Sequence, residues 1–271
     1  MKKVLVTGAT GFLGSYILKE LKGKYDIISV GRNKEKLMEI KKEDSKIECI
    51  SADLAELKEV LDFPEADIVV HSAALSTIWG SKKEFIKNNV TATENIIKYC
   101  RAKKVGRLVY ISTPSVYTGK KDRFNVRENE FDSDNKLNYY IETKIAAEKK
   151  VLEAEGDGLD VVIIRPKGLI GIGDTSILPR IIEANSKIGI PVFKGKEDIL
   201  ADMTSVENTA YAILLCMEKE GVSGEIFNIT NGEPTNQKKL LKYVSESLGT
   251  EFRYKKLSFG RIYMIASILE G

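Results

Sequence analysis

Tyr140 and Lys144 stand four residues apart in a stretch with helical character, so a phenol and an ammonium share one face. A free phenol titrates near about 10 and is a poor acid–base group at neutral pH. A neighbouring ammonium favours the phenolate and brings proton exchange with a substrate oxygen within reach. Tyr139 has Thr143 at the same spacing and lacks that cation. Upstream, the apolar run Leu108–Ile111 ends in Ser112-Thr113-Pro114-Ser115-Val116-Tyr117. A hydroxyl at the end of a parallel strand can donate to a carbonyl oxygen and orient it. Thr113 is the first choice for that donor, with Ser112 and Ser115 as alternatives at a shifted register.

Such a pair needs a redox partner, and the chain opens with a turn suited to one. Thr7-Gly8-Ala9-Thr10-Gly11-Phe12-Leu13-Gly14 directly follows the apolar run Val4-Leu5-Val6 and opens a helical pattern. Gly8 permits a tight turn, Gly11 a close backbone approach to a pyrophosphate, and Gly14 close helix–strand packing. The helix start supplies unpaired amides and partial positive charge. Gly8, Thr10, Gly11, Phe12, Leu13 and Gly14 are therefore candidate cofactor contacts. The second apolar run ends at Val30-Gly31-Arg32-Asn33, with no carboxylate before Glu35 to accept from ribose hydroxyls. Arg32 offers a planar fork for a 2′-phosphate, with Asn33 and Lys34 as further donors. NADP(H) is the expected cofactor, and NAD(H) the other candidate. Asp53, in Ala52-Asp53-Leu54, is either an acceptor for the adenine amino group or a helix N-cap.

These groups must be held by a scaffold, and the chain supplies one in its rhythm. Apolar runs at 4–6, 27–30, 47–50, 68–70, 108–111 and 161–164 alternate with helical patterns at 14–21, 88–100 and 140–152. Continuous apolar strands separated by helices imply an α/β fold, a Rossmann-like doubly wound parallel sheet covered on both faces. Residues 1–167 form the expected dinucleotide-binding domain. Glycines and loops dominate 168–195, and a small, mostly helical substrate-binding region is expected over 168–271, laid over the carboxyl edge of the sheet. Ile226–Ile229 reads as a strand rejoining the main sheet. Ile262–Leu269 reads as the start of a core-facing helix, too short to span a bilayer, and a shortened C-terminus is expected from its abrupt stop.

Composition narrows the function classes. Of 271 residues 43% are hydrophobic and 30% charged, as in soluble globular proteins. A net charge of +3 gives no reason to expect a nucleic-acid partner. The clusters Lys120–Arg123 and Lys255-Lys256 read as solvated faces. Three separated cysteines, Cys49, Cys100 and Cys216, read as buried reduced thiols of a cytoplasmic protein. With His71 the single histidine, no zinc site is expected, and no Gly-x-Ser-x-Gly elbow accompanies it for a hydrolase. No signal peptide or membrane span is expected.

The chain resembles the extended short-chain dehydrogenase/reductase family, including its NAD-dependent epimerase/dehydratase branch. The resemblance is carried in family order by the glycine turn, Asp53-Leu54, His71-Ser72-Ala73-Ala74, Asn89-Val90 with Thr93 and Asn95, the Ser112–Tyr117 run, Tyr140-Ile141-Glu142-Thr143-Lys144, and Arg165-Pro166. It implies that Thr113, Tyr140 and Lys144 form the catalytic triad. It also implies that Asp53 and Leu54 contact adenine, that Ala73 and Ala74 line the cofactor, and that Tyr140 and Lys144 approach it. Asn89 then braces the active-site strand, His71 is structural, and Pro166 and Gly168 form the turn beside the nicotinamide. The helices at 88–100 and 140–153 are similar to those of four-helix dimer interfaces, so a homodimer is expected.

Two departures bear on the reaction. Ile170-Gly171-Ile172-Gly173 replaces the family's usual Tyr-Gly-Pro-Gly. Dehydratases of the family carry Asp-Glu after the catalytic Thr, whereas Pro114-Ser115 stands here, which disfavours elimination. Segments 165–168 and 173–180 look similar to the hydroxysteroid dehydrogenase and 3-oxoacyl-type reductase branch. Hydride transfer to or from a small-molecule carbonyl or alcohol is the leading expectation. Nucleotide-sugar epimerisation, with Lys167 or Arg180 meeting a diphosphate, is the alternative. A catalytically silent dinucleotide sensor is a third reading, which the presence of both Tyr140 and Lys144 disfavours.

Overall fold

The computed structural model describes residues 1–77, 79–119, 121–187, 189–193 and 199–258. The helix expected at Ile262–Leu269 and Lys120 of the basic cluster lie outside the described residues. Two units are delimited: residues 1–167 with 206–229, and residues 168–205 with 230–271.

The first unit is built on a seven-stranded parallel sheet. Its strands are β1 (Lys3–Thr7), β2 (Asp26–Gly31), β3 (Glu48–Ser51), β4 (Ile68–His71), β5 (Arg107–Ile111), β6 (Val161–Pro166) and the strand Ile226–Ile229. They run in the order Ile226–Ile229, β6, β5, β4, β1, β2, β3. The order reverses between β1 and β4, so the chain leaves these neighbours in opposite directions and opens a crevice at their carboxyl ends. The sheet is seven strands wide because Ile226–Ile229 pairs in parallel with β6, in the register Ile226 to Ile163 and Ile229 to Pro166.

Alternation along the central strands splits the core into two layers. On one face Val4, Val6, Val109, Ile111, Val162 and Ile164 meet Ile17, Leu18 and Leu21 of α1 (Phe12–Leu21), together with Ile213 and Leu214 of the helix Val206–Glu218. On the other face Leu5, Val69, Leu108, Tyr110, Val161 and Ile163 meet side chains of three further helices. The helices between the strands are α2 (Lys34–Glu43), α3 (Leu57–Leu61), α4 (Lys82–Phe85), α5 (Ala92–Ala102) and α6 (Tyr139–Gly156). A π-helical turn, Ile86–Thr91, joins α4 to α5. Cys100 and Cys216 are buried, whereas Cys49, on β3 near the sheet margin, is only half-buried.

The second unit contains helices Leu178–Lys187 and Gln237–Ser247, with short strand pairs linking Leu169–Ile170 to Thr204–Ser205, Leu200–Ala201 to Thr235–Asn236, and Ile190–Phe193 to Tyr254–Leu257. The helix at Leu178–Lys187 interrupts a stretch read from sequence as loop. Pro179 sits in its first turn, where a missing amide proton costs nothing, so this proline is compatible with a helix start. Among the described residues no helix is long and apolar enough to cross a membrane.

The turn after β1 has no room for side chains. Gly8 has φ +69°, and a Cβ there would lie 2.7 Å from Ala73 N. A Cβ on Gly14 would lie 2.2 Å from Gly8 O and 2.7 Å from Ala9 Cα, both backbone atoms. Gly14→Ala must therefore push α1 off the strand. The expected cost is about 1–3 kcal/mol of stability, read from the denaturant midpoint; an unchanged midpoint would refute the close packing.

Candidate active site

The candidate residues of the first unit line the carboxyl edge of its sheet. Gly11 is the N-cap of α1 and offers no side-chain cap, so the first-turn amides have no side-chain acceptor at their cap residue. Gly11 N instead closes the turn onto Gly8 O at 2.9 Å. The bare glycine surface and the open helix start fit a pyrophosphate, which would take these amides as donors. Phe12 and Leu13 are the first two residues of α1. Lys36 Nζ donates to Thr10 O at 3.3 Å and so lies beside the same turn.

Arg32 follows β2, is exposed, and donates from Nη1 to Asn88 Oδ1 at 2.9 Å. Asn33, read from sequence as a further donor, uses its side-chain oxygen to cap α2 through Lys36 N. Asp53 does not cap a helix; Glu56 is the N-cap of α3. Its carboxylate accepts from Ala55 N at 3.0 Å and pairs with Lys87 Nζ at 2.8 Å. Burial alone would raise the Asp53 carboxyl, but Lys87 and the Ala55 amide outweigh it and hold it below the usual range. Leu54 is buried, and its carbonyl accepts from Asn95 Nδ2 at 3.0 Å.

Ala73 and Ala74 follow β4 and are half-buried, Ala73 directly against Gly8. The loop they start is clamped by Asn89 of the π-helical turn. Asn89 Oδ1 accepts from Leu75 N at 2.7 Å, and its Nδ2 donates to Thr143 Oγ1 at 3.1 Å. One side chain thus ties the loop after β4 to α6, next to Lys144.

Thr113, Tyr140 and Lys144 come together. Thr113 Oγ1 accepts from Ser115 N at 3.2 Å, and the Thr113 side chain acts on the Tyr140 phenol, lowering it. Because its lone pair already receives the Ser115 amide, its own proton is available to give away. Between the sequence alternatives, Ser115 contributes its backbone, and Ser112 Oγ is buried with no partner among the described residues. Burial raises the half-buried Tyr140 phenol and the Thr113 hydroxyl opposes it, the net shift being upward. The phenol therefore keeps its proton at neutral pH.

Lys144 is 1% exposed. Its Nζ donates to Tyr110 Oη at 2.6 Å and to Ile111 O at 2.7 Å. Burial drives the ammonium down to about 7, against the opposing field of Glu148 one turn along α6. That carboxylate is held by Arg165, at 2.9 Å from Nε and 2.6 Å from Nη2. Arg165, fully buried at the end of β6, also donates to Tyr117 Oη at 2.5 Å and Glu128 O at 2.8 Å. Pro166, next in β6, is buried and registers with Ile229. Gly168 begins the second unit, where its carbonyl accepts from Thr204 N at 3.0 Å.

Tyr110, Glu148 and Lys36 were not singled out from sequence. Glu148 had a signal: Tyr140, Lys144 and Glu148 recur every four residues, and a charged Arg165 ending an apolar strand requires a buried carboxylate partner.

His71 lies beneath this site and is fully buried. Its Nδ1 meets Thr7 Oγ1 at 2.7 Å and its Nε2 meets Thr93 Oγ1 at 3.1 Å. Ala73 N donates to Thr7 Oγ1, and Thr93 Oγ1 donates to Asn89 O at 2.6 Å. These directions make Thr7 the donor to Nδ1 and leave the proton on Nε2, a neutral ring.

A family model described as NAD dependent epimerase/dehydratase matches residues 4–230. The 2-alkyl-3-oxoalkanoate reductase of Shewanella oneidensis is 30% identical over 278 residues, covering 98% of this chain and 71% of the relative. The decarboxylating sterol-4-alpha-carboxylate 3-dehydrogenase ERG26 of Candida albicans is 32% identical, covering 87% and 72%. Among solved structures, MoeE5 in complex with UDP-glucose and NAD superposes with a TM-score of 0.79 at 26% identity, covering 94% of this chain and 85% of that one. The chain belongs to the NAD dependent epimerase/dehydratase family of extended short-chain dehydrogenases/reductases and is an enzyme of that nicotinamide-dinucleotide-dependent class.

Burial holds His71 down to about 3, against an ordinary 6.5. A neutral native histidine favours the folded state above about 6.5, and that contribution drains as pH falls from there toward 3. As the single histidine of the chain, it gives an unambiguous NMR signal. Its ring resonances are expected to stay at neutral positions from pH 8 to pH 5; a titration centred near 6.5 would contradict the buried network.

Proposed function

We propose that this member of the family is an NADP(H)-dependent oxidoreductase that interconverts a carbonyl and an alcohol, with Tyr140 as acid–base. The observation that carries the reading is a half-buried Tyr140 under the influence of Thr113, one helical turn before a buried Lys144. The bound nicotinamide supplies or accepts the hydride. Thr113 directs its free proton at the substrate oxygen and orients it. Tyr140, protonated at neutral pH, gives its proton to that oxygen as charge develops, which suits the reductive direction. The Lys144 ammonium offsets the resulting phenolate.

Residues 1–167 with 206–229 are the proposed dinucleotide-binding unit, with Gly8, Thr10–Gly14, Asp53, Leu54, Ala73, Ala74 and Pro166 on the cofactor and Gly168 at the start of the substrate-determining unit. Arg32 and Lys36 are the cations proposed for a 2′-phosphate, because the end of β2 carries no ribose-accepting carboxylate. The relatives' names describe reaction at carbon 3 of an oxo acid and of a sterol carboxylate. A 3-oxo or 3-hydroxy carboxylate is therefore the proposed substrate class. The UDP-glucose bound by MoeE5 favours a second reading, a nucleotide-sugar epimerase. A homodimer through α5 and α6 would bring together Lys98, Arg101, Lys149 and Glu153, all exposed, so its strength would depend on salt.

Two substitutions test the reading. Tyr140→Phe should lower kcat for NADPH-linked reduction of 3-oxo carboxylates by about 10²–10⁴-fold while dinucleotide binding persists; full activity would remove Tyr140 from the chemistry. Arg32→Ala should weaken NADPH by about tenfold, one charge-assisted hydrogen bond, and leave NADH nearly unchanged. Equal loss for both cofactors would rule out the phosphate contact. Turnover of UDP-sugars in place of oxo acids would select the second reading.

A further inference from the structure

We propose that Tyr110 is a positioning residue of the active site, a neutral phenol that holds the Lys144 ammonium in place from inside the sheet. The inference rests on the proposed role of Lys144 beside Tyr140.

Tyr110 is the fourth residue of β5 and is 1% exposed. It points to the face covered by α5 and α6, while its neighbour Ile111 turns a side chain to the opposite face and offers Lys144 only its carbonyl. Lys144 Nζ sits 2.6 Å from Tyr110 Oη and 4.2 Å from the ring centroid. Two of its three protons are thus committed to β5, which leaves one directed elsewhere. The third is the one that Tyr140 or a bound cofactor can use.

The phenol is itself fixed. Its ring lies against His71, with centroids 5.7 Å apart. Its hydroxyl oxygen receives Lys144. Burial pushes Tyr110 well above its ordinary range, the fields of Glu148 and Tyr140 add to this, and the phenol stays neutral. An ammonium can only donate, so the direction of the Lys144–Tyr110 bond is fixed, with the phenol oxygen as acceptor.

The groups facing Lys144 come from every strand and helix packed on it. Tyr140 and Glu148 lie on its own helix, Tyr110 on β5 and neutral His71 on β4. Arg165 on β6 acts through Glu148, whose charge it engages directly. Two neutral acceptors on Nζ favour the ammonium over the amine. With the group already brought to about 7 by burial, removing one acceptor moves its charge state within the working pH range.

Tyr110→Phe keeps the ring and removes the acceptor. Two measurements follow. In the cofactor-free protein, the Lys144 Nζ signal, assigned by its loss in Lys144→Met, is titrated by nitrogen NMR. Its midpoint should fall by about 0.5–1 pH unit in Tyr110→Phe, the equivalent of one hydrogen bond. In the active enzyme, the alkaline limb of kcat/KM should move down by a similar amount, with kcat reduced about tenfold and KM changed less than twofold. An unshifted Nζ midpoint and alkaline limb, alongside an inactive Tyr140→Phe, overturn the role of Tyr110 alone. A fully active Tyr140→Phe overturns the proposed function instead, and the Nζ titration still decides what Tyr110 does. If Tyr110→Phe does not fold, wild type is decisive by itself. A Lys144 ammonium signal protected from exchange supports the arrangement, and a rapidly exchanging one overturns it.

Discussion

A positive charge held out of water is the constraint around which the first unit is organised. The Lys144 ammonium is covered on all sides, and an isolated buried ammonium is so costly that it would shed its proton. The surrounding groups respond to that cost. Tyr110 and Ile111 accept from it, Glu148 lowers its electrostatic penalty, and Arg165 in turn pairs with Glu148 in a dry place. Removing one partner of such a buried ion pair leaves an uncompensated charge, at a cost on the order of 3–5 kcal/mol. The architecture of the sheet supplies these groups from two neighbouring strands, β5 and β6, and one helix, α6.

The Arg165 network also holds the long, mostly exposed segment between β5 and α6 at Tyr117 and at Glu128. Arg165 Nη1 donates to the Glu128 carbonyl, and Glu128 Oε1 accepts from Asn228 N at 2.8 Å. Tyr117, which receives Arg165, donates to Asn228 Oδ1 at 2.8 Å. The same guanidinium that steadies the charge of the site therefore fastens a loop to the strand Ile226–Ile229. Tyr117 sits just past Thr113, so the start of this loop and the hydroxyl of the site share one anchor.

Much of this was legible in the residues alone. The parallel sheet followed from apolar runs too continuous to be half-exposed, and the crevice followed from Gly8, Gly11 and Gly14 between a strand and a helix. Tyr140 and Lys144 stood out by side-chain chemistry and spacing, while Thr113 shared its place with Ser112 and Ser115 until the family resemblance favoured it. What sequence reasoning could not supply was the inner layer. Tyr110 lies in an apolar strand and looks like core, because its ring is core; only the alternation of faces reveals that its hydroxyl meets Lys144. Asp53 left two readings open, and the structure gave it a partner neither reading named, Lys87, from a helix far along the chain. The helix Leu178–Lys187 was missed because the glycine-rich stretch leading into it reads as loop.

The π-helical turn at Ile86–Thr91 has its own bearing on how this stretch can change over time. A regular helix rotates about 100° per residue, and a wide turn accommodates one residue more than a regular one. The stretches on either side of it are therefore offset in phase. Loss of one residue anywhere in the turn would let the helix close into a regular spiral and swing the preceding segment around the axis, carrying Asn89 away from Leu75. Exchange of one side chain for another leaves that phase alone. Lineages descending from this sequence can thus exchange side chains along the turn wherever none is engaged as Asn89 is, while its length is locked.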